Sequence, residues 1–363
     1  MKRLLLLMIP FLLCGCSHDM NRQEIDEVDM IHVLGIDWSG ENYTLSALYS
    51  IGGGADAESA KVDIIQASGN TVYQAYENLK LKNKKNITLA QTSYYLIGEE
   101  AAKNGIDYCL DFLSRDETIK LESFVYITKE TDASTVLQDG LENELLINED
   151  LEALSQKQLE TLTRNDNTIL GLLNEMEQSY SSILIPSLLY DEDSFLIEGY
   201  AVFDHLQLYD YLDGTTAMGV NFVKNIVRRC PIYISDTVGL LVSNTKTKLK
   251  TNVKKGIITV TIKIDFESFI KEVNTEEDIF TKDKLDELTN SQNNYIKDMI
   301  DKAINFSISS NLDIFGIARM IEIQNAKEWA TAEPKWSENI QDLNYVFDIN
   351  SKISKSFMIG NAR

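Results

Sequence analysis

Apolar and polar positions alternate and cluster along this chain in a way that lays out most of its elements before any single residue is weighed. Met30 to Trp38 is a mostly apolar run rich in branched residues, and Tyr43 to Ser50 follows with rough alternation after the turn-like Ser39-Gly40-Glu41-Asn42. Such a pair predicts a β-hairpin. Val62 to Ala67 predicts another strand, Gly69-Asn70-Thr71 a helix start, and Val72, Ala75, Tyr76 and Leu79 recur at helical spacing. Ile87 to Ile97 predicts a strand. Glu99 to Ser114 predicts an amphipathic helix with Ala102, Ile106, Cys109, Leu110 and Leu113 on one side, and Ile119 to Thr128 a further strand. The order β-α-β-α-β implies helices laid over a sheet.

From Leu141 to Arg164 the chain turns charged and helical, which predicts an exposed helical excursion within 141–178. Ser182 to Leu189 and Phe195 to Phe203 read as strands around the turn Tyr190-Asp191-Glu192-Asp193-Ser194, and Thr215 to Val227 as a helix. Ile232 to Val242, Thr245 to Val253 and Gly256 to Phe266 read as consecutive strands. Leu285, Leu288, Tyr295, Ile296, Met299, Ile300, Ala303 and Ile304 then keep a helical stripe across one long helix or two in tandem. After Asp313-Ile314-Phe315-Gly316 comes a helix to about Trp329, and Leu343 to Ile359 closes the chain as a strand pair or one long strand. The expectation is a multi-domain mixed α/β (α+β) protein with an N-terminal α/β domain over 30–190, a middle domain over 195–253 and a C-terminal α/β domain with the long helix over 254–363.

The first sixteen residues follow a different logic. Lys2 and Arg3 form a positive start, Leu4 to Leu13 an apolar run, and Leu13-Cys14-Gly15-Cys16 a lipobox. The run is shorter than the roughly 20 residues of a spanning helix, so 1–15 reads as a signal peptide and 16–29 as a lipidated tether. Cys16 is expected to carry an S-diacylglyceryl group, with N-acylation as a further step. Two acyl chains at about 0.8 kcal/mol per buried CH₂ hold firmly where one would be marginal. That places the mature protein at the outer face of a bacterial membrane, where the other reading is an ordinary secretory signal cut near the same place.

Composition adds mainly exclusions. A chain of 363 residues, 44% hydrophobic and 25% charged, has material for two or three cores. Its formal charge of −22 argues against nucleic acid and against a broad basic face on anionic lipid. Cys109 and Cys230 read as separately buried small apolar residues rather than a disulfide. His18, His32 and His205 have no ligand spacing, so no metal site is expected. Gly52-Gly53-Gly54 lacks the lysine and spacing of a phosphate loop, and Asp191-Glu192-Asp193 lacks the alternation of a calcium loop. Glu99 and Glu100 are adjacent helical residues that point apart, which leaves no catalytic pair and no cofactor set. A lipid-anchored cell-wall hydrolase is therefore the weakest function class, and no enzyme is expected.

The assembled motifs resemble the Ger(x)C family, the lipoprotein C subunits of spore germination nutrient receptors. The matching residues are Gly15-Cys16, Asn21-Arg22-Gln23-Glu24-Ile25, Val33-Leu34-Gly35-Ile36-Asp37, the segment Leu96 to Gly105, Leu110 to Asp116, Asn311 to Gly316, Trp329 and Trp336. Ser17-His18-Asp19 departs from the family's usual Trp-Asp after the cysteine, and a histidine common in the family has no counterpart among Thr88 to Tyr95. The resemblance implies three mixed α/β domains and a non-enzymatic subunit on the spore inner membrane, beside integral membrane A and B subunits. It leaves direct nutrient binding open. The competing class is a nutrient- or substrate-binding lipoprotein of a transporter, which would need a cleft between domains with convergent polar groups.

Overall fold

The computed structural model describes residues 27–51, 61–161, 167–178, 180–191, 194–235, 237–254, 256–275 and 278–354. β1 (Val28–Trp38) and β2 (Tyr43–Ile51) form the expected hairpin, in register from Trp38 opposite Tyr43, and β3 (Lys61–Gly69) extends it antiparallel. α1 (Val72–Lys82) starts where Thr71 Oγ1 accepts the Gln74 backbone N–H at 3.1 Å. Its buried face is Val72, Ala75, Tyr76 and Leu79, as the spacing predicted.

Three of the expected elements break where local chemistry interrupts them. The strand expected over 87–97 is β4 (Asn86–Thr88) and β5 (Tyr94–Ile97), with a turn between them in which Thr92 N–H reaches Leu89 C=O at 3.0 Å. The helix expected over 99–114 is α2 (Glu99–Asn104) and α3 (Ile106–Arg115), broken at Gly105 with φ 136°. β6 is confined to Phe124–Thr128, although Ile119 still reaches the core.

The stretch read as an exposed excursion within 141–178 supplies part of a second helical layer, which begins just before it. α4 (Ala133–Glu142) and α5 (Ile147–Thr161) bury Val136, Leu137, Ile147 and Leu151 against one face of the sheet. α6 (Ile169–Met176) returns to the other face and joins α1, α2 and α3. Charged outer faces masked these apolar stripes in the sequence. A sheet covered on both faces also explains why β1 is nearly all apolar rather than alternating.

β7 (Ile183–Asp191), β8 (Ser194–Asp204) and β9 (Gln207–Leu212) complete a sheet of nine strands in the order β3-β2-β1-β5-β6-β7-β8-β9, with β4 alongside β1. β5, β6 and β7 run parallel, and the outer strands on both sides are antiparallel. The boundary expected between 190 and 195 therefore falls in the turn of the β7–β8 hairpin. Alternation shows that a strand exists, not which strand it will pair with.

The second sheet has four strands in sequence order, β10 (Arg229–Ser235), β11 (Val238–Lys254), β12 (Ile257–Val273) and β13 (Asn344–Ser354). All three strands expected over 232–266 differ in extent, because β10 ends at Ser235, β11 runs unbroken through Val238–Lys254 and β12 continues to Val273. The boundary expected at 254 lies in the β11–β12 hairpin. β12 and β13 are parallel, so this sheet is also mixed.

Helices cover its inner face: α7 (Gly214–Val223), the 29-residue α8 (Lys282–Ser310), α9 (Ile317–Gln324), α10 (Ala326–Ala332) and α11 (Trp336–Gln341). Each fully buried Ile, Val or Phe there contributes about 1.5–3 kcal/mol. Gln292 of α8 is buried, with Oε1 accepting from Ser268 at 2.6 Å and Nε2 donating to Ser351 at 2.7 Å, which pins the helix to β12 and β13. The same core takes in Leu184, Tyr200, Val202 and Leu212 from the last strands of the first sheet. The mixed α+β class expected from the sequence holds, as two mixed sheets flanked by helices.

Candidate functional site

Asp37 at the end of β1 is buried, and its carboxylate accepts the Ala133 backbone N–H at 2.7 Å and that of Ser134 at 2.9 Å. It thereby caps α4, while Asp132 at the cap position makes no side-chain cap bond. The first N–H groups of a helix lack intrahelical partners and mark the positive end of its dipole, so a carboxylate is favoured there. Burial raises the Asp37 carboxyl above its ordinary range, and the two backbone donors oppose that rise. Close packing completes the joint. A Cβ on Gly98 would lie 2.2 Å from Asp37 Oδ1, and one on Gly35 would lie 3.0 Å from Ala133 Cβ.

Glu99, beside Gly98, is held by Lys103 at 2.7 Å, by the Glu130 backbone N–H at 2.7 Å and by the Tyr211 hydroxyl of β9 at 3.0 Å. Burial alone would raise its carboxyl, but these three partners outweigh it and hold the group below its ordinary value. Glu100 pairs with the same Lys103 at 2.8 Å. Arg115 pairs with Asp111 at 2.8 Å, and Asp116 accepts from the Thr118 N–H at 2.9 Å. The acidic residues of these motifs are thus engaged in structure.

The second sheet's unit repeats the device. Asp313 is buried and accepts the Ile317 N–H at 2.9 Å and the Ala318 N–H at 2.7 Å, capping α9. Burial raises its carboxyl against those same donors. Its backbone C=O accepts from Ser182 N–H at 3.0 Å, which ties this corner to the segment entering β7. Trp329 and Trp336 meet edge to face with centroids 5.4 Å apart, Tyr180 meets Trp329 at 5.3 Å, and the Tyr180 hydroxyl donates to Glu333 at 2.8 Å. Sequence reasoning singled out both tryptophans but missed Tyr180 and Ser182, since no local pattern marks a residue whose partner lies more than a hundred positions away.

Two hollows flank these joints. One, of about 1260 Å³, lies on the first sheet's unit between Trp38, Tyr73, Tyr108, Phe112 and Asp116. The other, of about 700 Å³, lies between the two units, lined by Met176, Ser182, His205, Asn311, Glu333 and Trp336.

Other sequence-predicted residues are dispersed. Cys16, His18, Asn21 to Ile25 and Gly52 to Gly54 lie outside the described residues. Cys109 of α3 and Cys230 of β10 are free thiols buried in different cores, and burial pushes both up to about 12. His32 lies in β1 with Nε2 2.6 Å from Ser50 Oγ, and His205 is exposed beside Asp204. Among the described residues no three His, Cys, Asp or Glu side chains gather as metal ligands, and no helix is long and apolar enough to cross a membrane.

Residues 21–189 match the family profile described as spore germination protein N-terminal domain, and residues 198–356 match that described as spore germination B3/GerAC like, C-terminal. The chain belongs to the Ger(x)C family of spore germination proteins. Spore germination protein KC of Bacillus subtilis (strain 168) is 21% identical over 369 residues, covering 92% of this chain and 90% of that protein. The GerBC protein, whose crystal structure is solved, shares the fold at a TM-score of 0.58 and 16% identity, over 88% of this chain and 96% of that one. The Ger(x)C motifs at Asp37, Gly98, Asp313, Trp329 and Trp336 coincide with the joints of the two units described above.

Proposed function

We propose that this chain is the non-enzymatic, lipid-anchored C subunit of a spore germinant receptor, acting beside integral membrane A and B subunits. The match to the two Ger(x)C segments along nearly the whole chain carries this reading. The motif carboxylates support the absence of bond-making chemistry, because Asp37 and Asp313 already accept two backbone N–H groups each. In this reading Cys16 carries the diacylglyceryl anchor, and the folded units stand at the outer face of the spore inner membrane. The subunit contributes rigid contact surfaces.

The test is affinity purification of the tagged chain from detergent-solubilised spore membranes. Two multi-span membrane proteins should accompany it in fixed ratio; recovery of the chain alone would count against the receptor reading. The hollow between the two units favours a second reading, capture of a small nutrient. Calorimetry against candidate nutrients separates the two, since saturable binding by the isolated chain supports capture.

A further inference from the structure

The outward face of the second sheet runs against the charge of the whole chain. The sequence has 34 Lys and Arg against 56 Asp and Glu, yet Lys246, Lys248, Lys250 and Lys254 of β11 are all exposed and share one face. Residues between them, such as Leu249 and Val253, turn inward to the core. Register sets Lys246 opposite Asp265, but Lys248 opposite Lys263, a like-charge pair that costs stability. Lys263 is relieved by Asp348 at 3.0 Å, but none of the four β11 lysines has an ion-pair partner among the described residues.

Lysines on an edge strand often serve to block strand addition. Here that task is already met by other groups. β10 pairs with β11 only as far as Ser243. Beyond it, the Thr247 N–H donates to Asn225 Oδ1 at 2.7 Å and the Thr251 N–H to Gln324 Oε1 at 2.9 Å. With these two edge N–H groups already engaged by side-chain amides, Lys248, Lys250 and Lys254 are left without a structural duty. At the hairpin end Lys254 lies opposite Ile257, which is 62% exposed. A basic row ending in an exposed apolar side chain fits a membrane interface, where the cations meet phosphate and the apolar tip enters the headgroup layer.

We propose that this face is the protein's membrane-facing side, with the row from Lys246 to Lys254 resting on anionic phospholipid headgroups and Ile257 inserted at the hairpin end. The inference rests on the membrane-tethered reading above. The row is about 26 Å long at strand spacing, which suits lying along a surface. Screening limits its reach to about 8–10 Å, and the acidic remainder of the chain is repelled by the same lipid. The lysines therefore act only once a tether has brought the protein close, and they set its orientation rather than its recruitment. Each contributes roughly a fivefold gain in partition at the surface.

The chain from Ser17 onward, which keeps every described residue, is held through an N-terminal histidine tag on phosphatidylcholine vesicles with nickel-chelating lipid, with or without phosphatidylglycerol. An environment-sensitive fluorophore sits at Ile257→Cys, since Cys109 and Cys230 are buried. In phosphatidylglycerol vesicles the emission should shift to the blue and be quenched by doxyl lipid, and both signals should disappear in high salt. The K246E/K248E/K250E/K254E variant should lower label insertion at least tenfold, and K248Q/K250Q at least fivefold. A label that stays in water on phosphatidylglycerol vesicles, or that inserts in both variants as deeply as in the unsubstituted lysine row, overturns the proposal. The artificial tether makes this outcome independent of Cys16 acylation. Failure of the anchor reading would show separately, as absence of labelled lipid on Cys16.

Discussion

Asp37 Oδ1 lies 2.7 Å from the backbone nitrogen of Ala133, 96 residues further along the chain, and this contact joins β1, an interior strand of the first sheet, to the helix on its second face. It predicts that Asp37→Ala costs about 2–3 kcal/mol of stability, since two helix N–H groups lose their acceptor in a buried setting. Asp37→Asn should cost less, because one acceptor oxygen remains. Urea unfolding followed by circular dichroism measures both.

Gly98 and Asp37 should also be energetically coupled. The methyl of Gly98→Ala would meet Asp37 Oδ1 at 2.2 Å, so it should destabilise strongly when Asp37 is present and much less in an Asp37→Ala background. A double-mutant cycle should return a coupling of at least about 1 kcal/mol. Simple additivity of the two changes would contradict the packed joint.

Asp313→Ala should destabilise the second unit by a similar amount, about 2–3 kcal/mol. Because Asp313 lies at the corner that holds Ser182, near the Trp329–Trp336 pair, intrinsic tryptophan emission should report the loss at lower urea than in the parent chain. Unchanged emission and midpoint would show that the cap contributes little.

The pH dependence of Glu99 has a fixed sign. Its folded carboxyl is held below the ordinary value of 4.5, so its stabilising contribution is present above that value and is lost as pH falls through the folded value. Glu99→Gln should therefore destabilise the protein at pH 7, and the gap to the parent should narrow as acid is added. Urea midpoints measured across that range check it, and a gap that widens in acid would be the wrong sign.

Both thiols are buried and pushed up to about 12, so neither should react with a disulfide reagent at neutral pH until the chain unfolds. The chain from Ser17 onward should release no colour with such a reagent in native buffer and react at both positions in urea. Fast reaction in native buffer would place a thiol at the surface.

Much of this was readable from residue patterns. Thr71 before a 3.6-residue stripe announced α1, and the alternation of Tyr43 to Ser50 announced β2. What could not be read was partnership. The apolar run at 30–38 indicated a buried strand, but not that α4 and α5 cover its second face, because their outward charges diluted the stripe. The motif at Asp37 pointed to the family, yet its role depends on the backbone N–H groups of Ala133 and Ser134, nearly a hundred residues further along the chain. The lysine row was hidden by averaging, since a net charge of −22 says nothing about which face carries the minority sign.

Whether this chain works as a germinant-receptor subunit is decided by the germination of spores lacking it. Dipicolinic acid release should fail for at least one nutrient stimulus in the deletion strain, and the parent gene should restore it while a Cys16→Ala gene restores it poorly. Release at the parental rate for every nutrient tried would contradict the account.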